Sequence, residues 1–197
     1  MWLNDTELTS HTVTLTPLRR DHADALIAAA TDGQLWDLWF TGVPDAYTIH
    51  DYITHALEEQ ALGRALPFVV RDNVTGDIIG TTRFCNADTK NKRLEIGYTW
   101  YAKRAQRSSV NTECKQLLLT HAFEHLDAIA VEFCTHWHNQ ASRQAIARLG
   151  AKQDGVLRNH KIMPDGSYRD TVVFSIINHE WPAVKMHLRH KLAAYQG

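Results

Sequence analysis

Gln106, Arg107, Ser108 and Ser109 form a run of hydrogen-bond donors between a strand-like segment ending at Tyr101 and an apolar run that begins at Val110. A loop that enters a helix presents backbone N–H groups with no intrahelical acceptor, and the aligned peptide dipoles add about half a positive charge there. Phosphate is a natural ligand for such amides. Arg107 and Arg104 would add cationic charge to the same loop. Every strand–loop–helix has this property, so it points to an anion site without specifying a reaction. His136 and His138 flank Trp137, but an H-x-H pair with no third ligand at usable spacing leaves no metal expected. Cys85, Cys114 and Cys134 are widely spaced with no CxxC pair, so neither a disulfide framework nor a zinc site follows. Cys114 and Cys134 read as small buried hydrophobes rather than nucleophiles.

The elements that must position these residues read as follows. Residues 11–18 alternate and are β-branched, as a first strand does, and Asp21 is placed to cap a helix running to about Thr31. The aromatic stretch 35–40 precedes a Gly-Val-Pro turn, and a second amphipathic helix is predicted from Thr48 to Leu62, closed by Gly63. Residues 67–71 and 78–84 are strands joined by a turn. Residues 92–101 form a third, with Leu94, Ile96, Tyr98 and Trp100 expected on one face and Glu95, Gly97 and Thr99 on the other. A long helix over 110–126, a strand over 128–135 and a short helix from Asn139 to Leu149 come next. Strands 156–163 and 168–177 bracket a PDG turn, and a basic helix follows Pro182. The chain reads as one α+β domain over residues 1–197, with its core at about 11–182 and a terminal helix at 182–195.

Composition narrows the function classes. The net charge of −1, from 21 basic and 22 acidic residues, gives no general field for nucleic acid or an anionic membrane. The basic positions Lys185, Arg189, His190 and Lys191 read as a solvated helix face. No run approaches the ~18 apolar residues of a membrane span, and the N-terminus lacks an apolar signal core. Three dispersed cysteines suit a reducing compartment, and a cytoplasmic protein is expected.

The segment 94–126 resembles the acetyl-CoA-binding motif of the GNAT superfamily, in the branch that includes the ribosomal-protein N-terminal acetyltransferases. The resemblance is carried by VNTECKQLLL at 110–119, by NQASRQAIARLGA from Asn139, and by DGVLRNH, DGSYRDTVVFSI and EWPAVK, in that order. It covers about residues 11 to 192. In that register Arg107 and Ser109 stand where glycines are common, and glycine permits positive φ and close backbone approach to phosphate.

The resemblance implies a GNAT fold, a mixed sheet flanked by helices, that moves acetyl from acetyl-CoA to an amine. The pyrophosphate would rest on Gln106 to Asn111, including Val110. Ile96, Gly97, Tyr98 and Thr99 would pair with the pantetheine arm as one strand does with another, one amide polarising the thioester carbonyl. Asn139, with Arg143 nearby, would contact the same arm, although Asn139 also reads as a plain helix cap. Glu95 would accept the amine's proton, the alternatives being a solvated carboxylate or one paired with Arg93 or Arg83. Ser142 would meet the departing thiolate. Trp36, Trp39, Phe40 and Arg83 would line the acceptor pocket, with core packing the alternative for the aromatic residues. The acceptor would be a protein N-terminus or a small amine such as an antibiotic. A CoA-binding domain without turnover is the reading from another class. A homodimer built on the C-terminal hairpin and helix is compatible with all three.

Overall fold

The computed structural model describes residues 1–195. In chain order the elements are β1 (Leu8–Thr9), β2 (Val13–Pro17), α1 (Ala23–Thr31), α2 (Ile49–Ala61), β3 (Leu66–Asp72), β4 (Ile78–Asp88) and β5 (Arg93–Tyr101). Then come α3 (Val110–Thr120), β6 (Ala130–His136), α4 (Gln140–Ala147), β7 (Lys152–Ile162), β8 (Tyr168–Ile177) and α5 (Trp181–Ala193). The eight strands form one mixed sheet in the order β1-β2-β3-β4-β5-β6-β8-β7. Every neighbouring pair is antiparallel except β5 with β6, which is parallel. The architecture is α+β, a mixed sheet flanked by helices, as the GNAT resemblance implies. Among the described residues no helix is long and apolar enough to cross a membrane.

The β5–β6 pairing is short. It holds at Arg93↔Ala130, Leu94↔Val131 and Glu95↔Glu132, after which the two strands part. From Ile96 onward β5 has no ladder partner on that side, and its backbone groups face a wedge-shaped gap.

The second departure from regularity is a bulge. Thr81 pairs with Trp100 and Arg83 with Gly97, so Tyr98 and Thr99 together oppose Thr82. Tyr98 takes φ 51°, a left-handed conformation that is costly for a bulky residue. The extra residue reverses the alternation beyond it. Leu94 and Ile96 join the core under α3 and α5, whereas Trp100 packs with Leu26, Ile53, Val69 and Ile78 under α1 and α2. The expectation that Leu94, Ile96, Tyr98 and Trp100 share a face is therefore corrected: Tyr98 is exposed and Trp100 lies on the opposite side.

Helix α3 forms where Val110, Cys114, Leu118 and Ala122 recur at helical spacing, and all four are buried. Its last turn, His121–His125, widens to a π-turn closed by the Leu126 amide on the His121 carbonyl at 3.1 Å. Other boundaries shift slightly. Asp21 does not cap α1: it lies in a 3₁₀ turn, and its carboxylate receives Arg19 Nε at 3.1 Å. Strand β7 starts at Lys152 rather than at 156, with a register shift against β8 between Gln153 and Gly155. The two-residue strand β1 is too short to leave a periodic signal.

Candidate active site

The loop between β5 and α3 is held from within. Gln106 Nε2 donates to the Tyr101 carbonyl at 2.9 Å, and Ser108 Oγ donates to the Ala105 carbonyl at 2.6 Å while accepting from the Val110 amide at 3.3 Å. Ser109 Oγ donates to Glu113 at 2.8 Å. The Glu113 carboxylate also receives the Ser10 hydroxyl (2.5 Å), the Thr12 hydroxyl (2.7 Å) and the Thr12 amide (3.1 Å), and these bonds hold its pKa below the usual value despite burial. Among the described residues the amides of Arg107, Ser108, Ser109, Asn111 and Thr112 meet no acceptor in the chain. They are donors left free at the start of α3, where the helix dipole favours an anion.

Arg107 takes φ 59°, so it adopts the left-handed backbone that glycine would supply, and Ser109, at φ −67°, needs no glycine. The Arg107 side chain is exposed. Arg104 is not aimed at the cradle, as the sequence suggested, because it reaches Asp32 at 3.3 Å and Asp77 at 3.7 Å.

Beside the gap, Glu95 is half-buried and accepts from Asn86 Nδ2 at 2.7 Å. Burial raises its pKa, partly offset by the Asn86 hydrogen bond and by Lys161, with Glu132 pushing further upward. It pairs with neither Arg93, which binds Glu132, nor Arg83. Gly97 sits close against it: a side-chain carbon there would approach the Cys85 sulfur and the Glu95 carboxylate at 3.1 Å each.

Thr99, within the bulge, shares a 2.7 Å hydrogen bond with Thr82 and accepts from Lys115 Nζ at 2.8 Å. Lys115 is 5% exposed, and burial lowers its pKa to about 8. Its ammonium lies 5.9 Å from the Phe133 ring of β6, so this side chain fills the base of the wedge. The guanidinium of Arg83, opposite Gly97, lies 3.9 Å from the Tyr98 ring and 4.9 Å from the Tyr52 ring, and the two rings meet edge-on at 6.4 Å.

Across the gap, Asn139 caps α4, its Oδ1 accepting from the Ser142 amide at 3.0 Å. Its side-chain amide nitrogen keeps its donors for another partner. Ser142 is half-buried in the first turn of α4. Arg143 is held by the Trp137 carbonyl at 3.2 Å and lies 4.3 Å over the Trp137 ring. Trp39 meets the His136 ring edge-on at 4.9 Å, with Phe40 5.5 Å away, so these two aromatics border the end of β6. Trp36 packs instead on the core under α1 and α2.

Burial raises the pKa of Cys114 and of Cys134 to about 12, which keeps both as thiols and argues against either as a nucleophile. Among the described residues no group of three or more His, Cys, Asp or Glu side chains is arranged to hold a metal.

Sequence reasoning passed over Lys115, Asn86 and Tyr52. Lys115 left one signal, a cation beside the apolar stripe of a buried helix. Asn86 and Tyr52 left none, since they meet Glu95 and Arg83 only through strand register and helix packing.

Residues 12–152 match the family model described as Acetyltransferase (GNAT) domain. The Bacillus subtilis (strain 168) protein YdaF, provisionally named a ribosomal N-acetyltransferase, is 32% identical over 110 residues, 56% of this chain and 59% of YdaF. The chain thus spans about three fifths of the length of that curated relative. A T. thermophilus protein provisionally described as an acetyltransferase is 32% identical with a TM-score of 0.82, over 98% of this chain and 100% of its own. Mycobacterium smegmatis RimJ, solved in complex with CoA-disulfide, shares the fold at 22% identity and TM-score 0.77, over 95% of this chain and 93% of its own.

Proposed function

The chain belongs to the GNAT acetyltransferase family, and from that premise we propose that it passes acetyl from acetyl-CoA directly to a primary amine. The observation that carries this reading is the juxtaposition of an unpaired β5 edge with the amide cradle of the following loop. Acetyl-CoA supplies an activated thioester. The chain supplies the means to hold it: amides from Arg107 to Thr112 for the diphosphate and the edge of Ile96 to Thr99 for the pantetheine arm. Burial in a gap excludes water, and fixing two reactants together is worth several kcal/mol, up to about 7–11.

The amine must be neutral to attack. Glu95, with its raised pKa, accepts the proton that the nitrogen loses as the new C–N bond forms. The C–S bond breaks at the same carbon, and the Ser142 hydroxyl donates to the departing sulfur. The bulge turns the backbone at Tyr98, leaving an amide of this stretch to donate to the thioester oxygen.

A protein N-terminus is the favoured acceptor, supported by the name of YdaF and by the order of motifs shared with the ribosomal-protein branch. A small amine is the second reading, favoured by the burial of Arg83 and the partial burial of Glu95. Retention of the left-handed loop conformation at Arg107 argues against a degenerate domain. The three free thiols fit the cytoplasm as its compartment.

Calorimetry with acetyl-CoA, together with free-thiol release on peptide and small-amine panels, tests the proposal. Micromolar binding with amine-dependent thiol release is expected. Binding without release on any amine would leave only a CoA-binding domain.

A further inference from the structure

We infer that the amine acceptor carries a carboxylate close to its amino group, and that the buried guanidinium of Arg83 receives it. This rests on the acetyl-transfer reading and names the acceptor class for the same site. Arg83 is 1% exposed, yet its Nε and Nη2 have no hydrogen-bond partner and it makes no ion pair among the described residues. Taking a guanidinium out of water without an acceptor is costly, so a native protein that keeps one has a use for it. The rings of Tyr98 and Tyr52 attract the cation, but neither gives Nε or Nη2 an oxygen acceptor. The N–H groups point within the guanidinium plane. Nε and Nη2 form the edge whose spacing matches the two oxygens of one carboxylate.

The chain's own carboxylates near this group are engaged elsewhere. Glu59 on α2, close enough to feel the charge of Arg83, is held by Arg64 at 2.5 Å. Glu95 takes the Asn86 amide. A second guanidinium, Arg169 on β8, is desolvated, lies within electrostatic reach of Glu95 and Tyr98, and has Thr171 Oγ1 at 3.0 Å rather than a carboxylate. Glu95 thus has Lys161 and Arg169 within electrostatic reach, and neither they nor Arg83 form an ion pair among the described residues.

Strand register puts the two groups on one face. Arg83 lies opposite Gly97, and Glu95 is two residues from Gly97 on β5, so their backbone positions are about 7 Å apart along the strand. An acceptor with its amine at Glu95 and its carboxylate at Arg83 would bridge these two neighbouring side chains. Tyr98, the nearer of the two rings, is 48% exposed, so it is the side chain through which a ligand would reach Arg83 from solvent.

The test compares amino acids with their carboxamides, and peptides beginning Asp or Glu with matched Asn or Gln peptides, at equal concentrations of neutral amine. Selectivity for the acid of about tenfold to a hundredfold in kcat/KM is expected. Free amino acids and acidic peptides are the two arms that identify the source of the carboxylate. Arg83→Lys, which keeps charge but loses the fork, should bring the ratio close to one with acetyl-CoA affinity unchanged, and that affinity also reports that the variant folds. Equal rates for acids and carboxamides, or selectivity retained in Arg83→Lys, overturn the inference. Should no amine be acetylated, the reaction itself fails, and calorimetry of an N-acetyl amino acid against its carboxamide, with CoA present, still decides. Acid-selective binding lost in Arg83→Lys supports the site; equal binding or none removes it.

Discussion

Lys115 Nζ donates to Thr99 Oγ1 at 2.8 Å, tying the middle of α3 to the bulge in β5. The tie places a nearly sealed amine at the base of the gap, with no carboxylate paired to it among the described residues. Burial lowers its pKa from 10.5 to about 8, so the folded protein binds fewer protons than the unfolded chain between those values. Stability must therefore rise as pH goes from about 8 to 10.5, by about 3 kcal/mol at full effect. Lys115→Met should be more stable than the parent at pH 7 and should lose that climb. Urea unfolding across pH 7–10.5 reads both, and a less stable variant at pH 7 would show that the ammonium is better compensated than burial suggests.

Glu95 behaves in the opposite sense. Its folded pKa is raised, so the stability linked to its proton is complete below the ordinary carboxylate value and is lost as pH rises through the folded one. Glu95→Gln should be the more stable protein at neutral pH. Its turnover should fall about 10²- to 10⁴-fold, and the acid limb of the kcat/KM profile should disappear. Survival of that limb in the variant would assign the proton to another group.

The left-handed backbone of Arg107 makes a local claim. A non-glycine residue there costs about 1–2 kcal/mol. Arg107→Gly relieves the strain but adds unfolded-state entropy, for a net gain of up to about 1 kcal/mol. Arg107→Val should destabilise by at least about 1 kcal/mol because β-branching resists this conformation. Chemical denaturation without cofactor measures both, and a Val variant as stable as the parent would mean the loop adopts another shape.

Glu113 joins the N-terminal segment to the cradle through Ser10, Thr12 and Ser109. Its pKa is depressed, so its stabilisation is complete above the ordinary value of 4.5 and is lost as pH falls through the folded one. Glu113→Gln should be less stable at pH 7, with its deficit shrinking below pH 4.5, and should bind acetyl-CoA more weakly because Ser109 is no longer anchored. Isothermal titration and pH-resolved unfolding provide the readouts. Unchanged affinity would separate the clamp from the cradle.

The residues that make the cradle were readable in order, because a strand, a donor-rich loop and an apolar helix each carry their own local signature. Glu95 was readable as a candidate for a similar reason: it lies one residue from the apolar positions Leu94 and Ile96 on a recognisable strand. The bulge was not. Nothing local to Tyr98 marks it for a positive φ, and that conformation alone sends Trp100 to the other core. Arg104 and Arg83 show the same boundary from the side-chain end. Arg104 finds Asp32 seventy-two residues back, and Arg83 is enclosed by Tyr52 from α2 and Tyr98 from β5, choices made by packing between elements.

The separation of β5 from β6 after three paired positions also shapes how the molecule responds to its donor. A pantetheine chain laid along β5 would act as a missing rung, giving main-chain groups the acceptors that water otherwise provides. Occupancy and thermal resistance are then one equilibrium, worth about 2.7 kcal/mol at a hundredfold excess over Kd. Amide exchange should slow first along Ile96 to Thr99, and unloaded enzyme in the cell should be the fraction that proteases reach soonest.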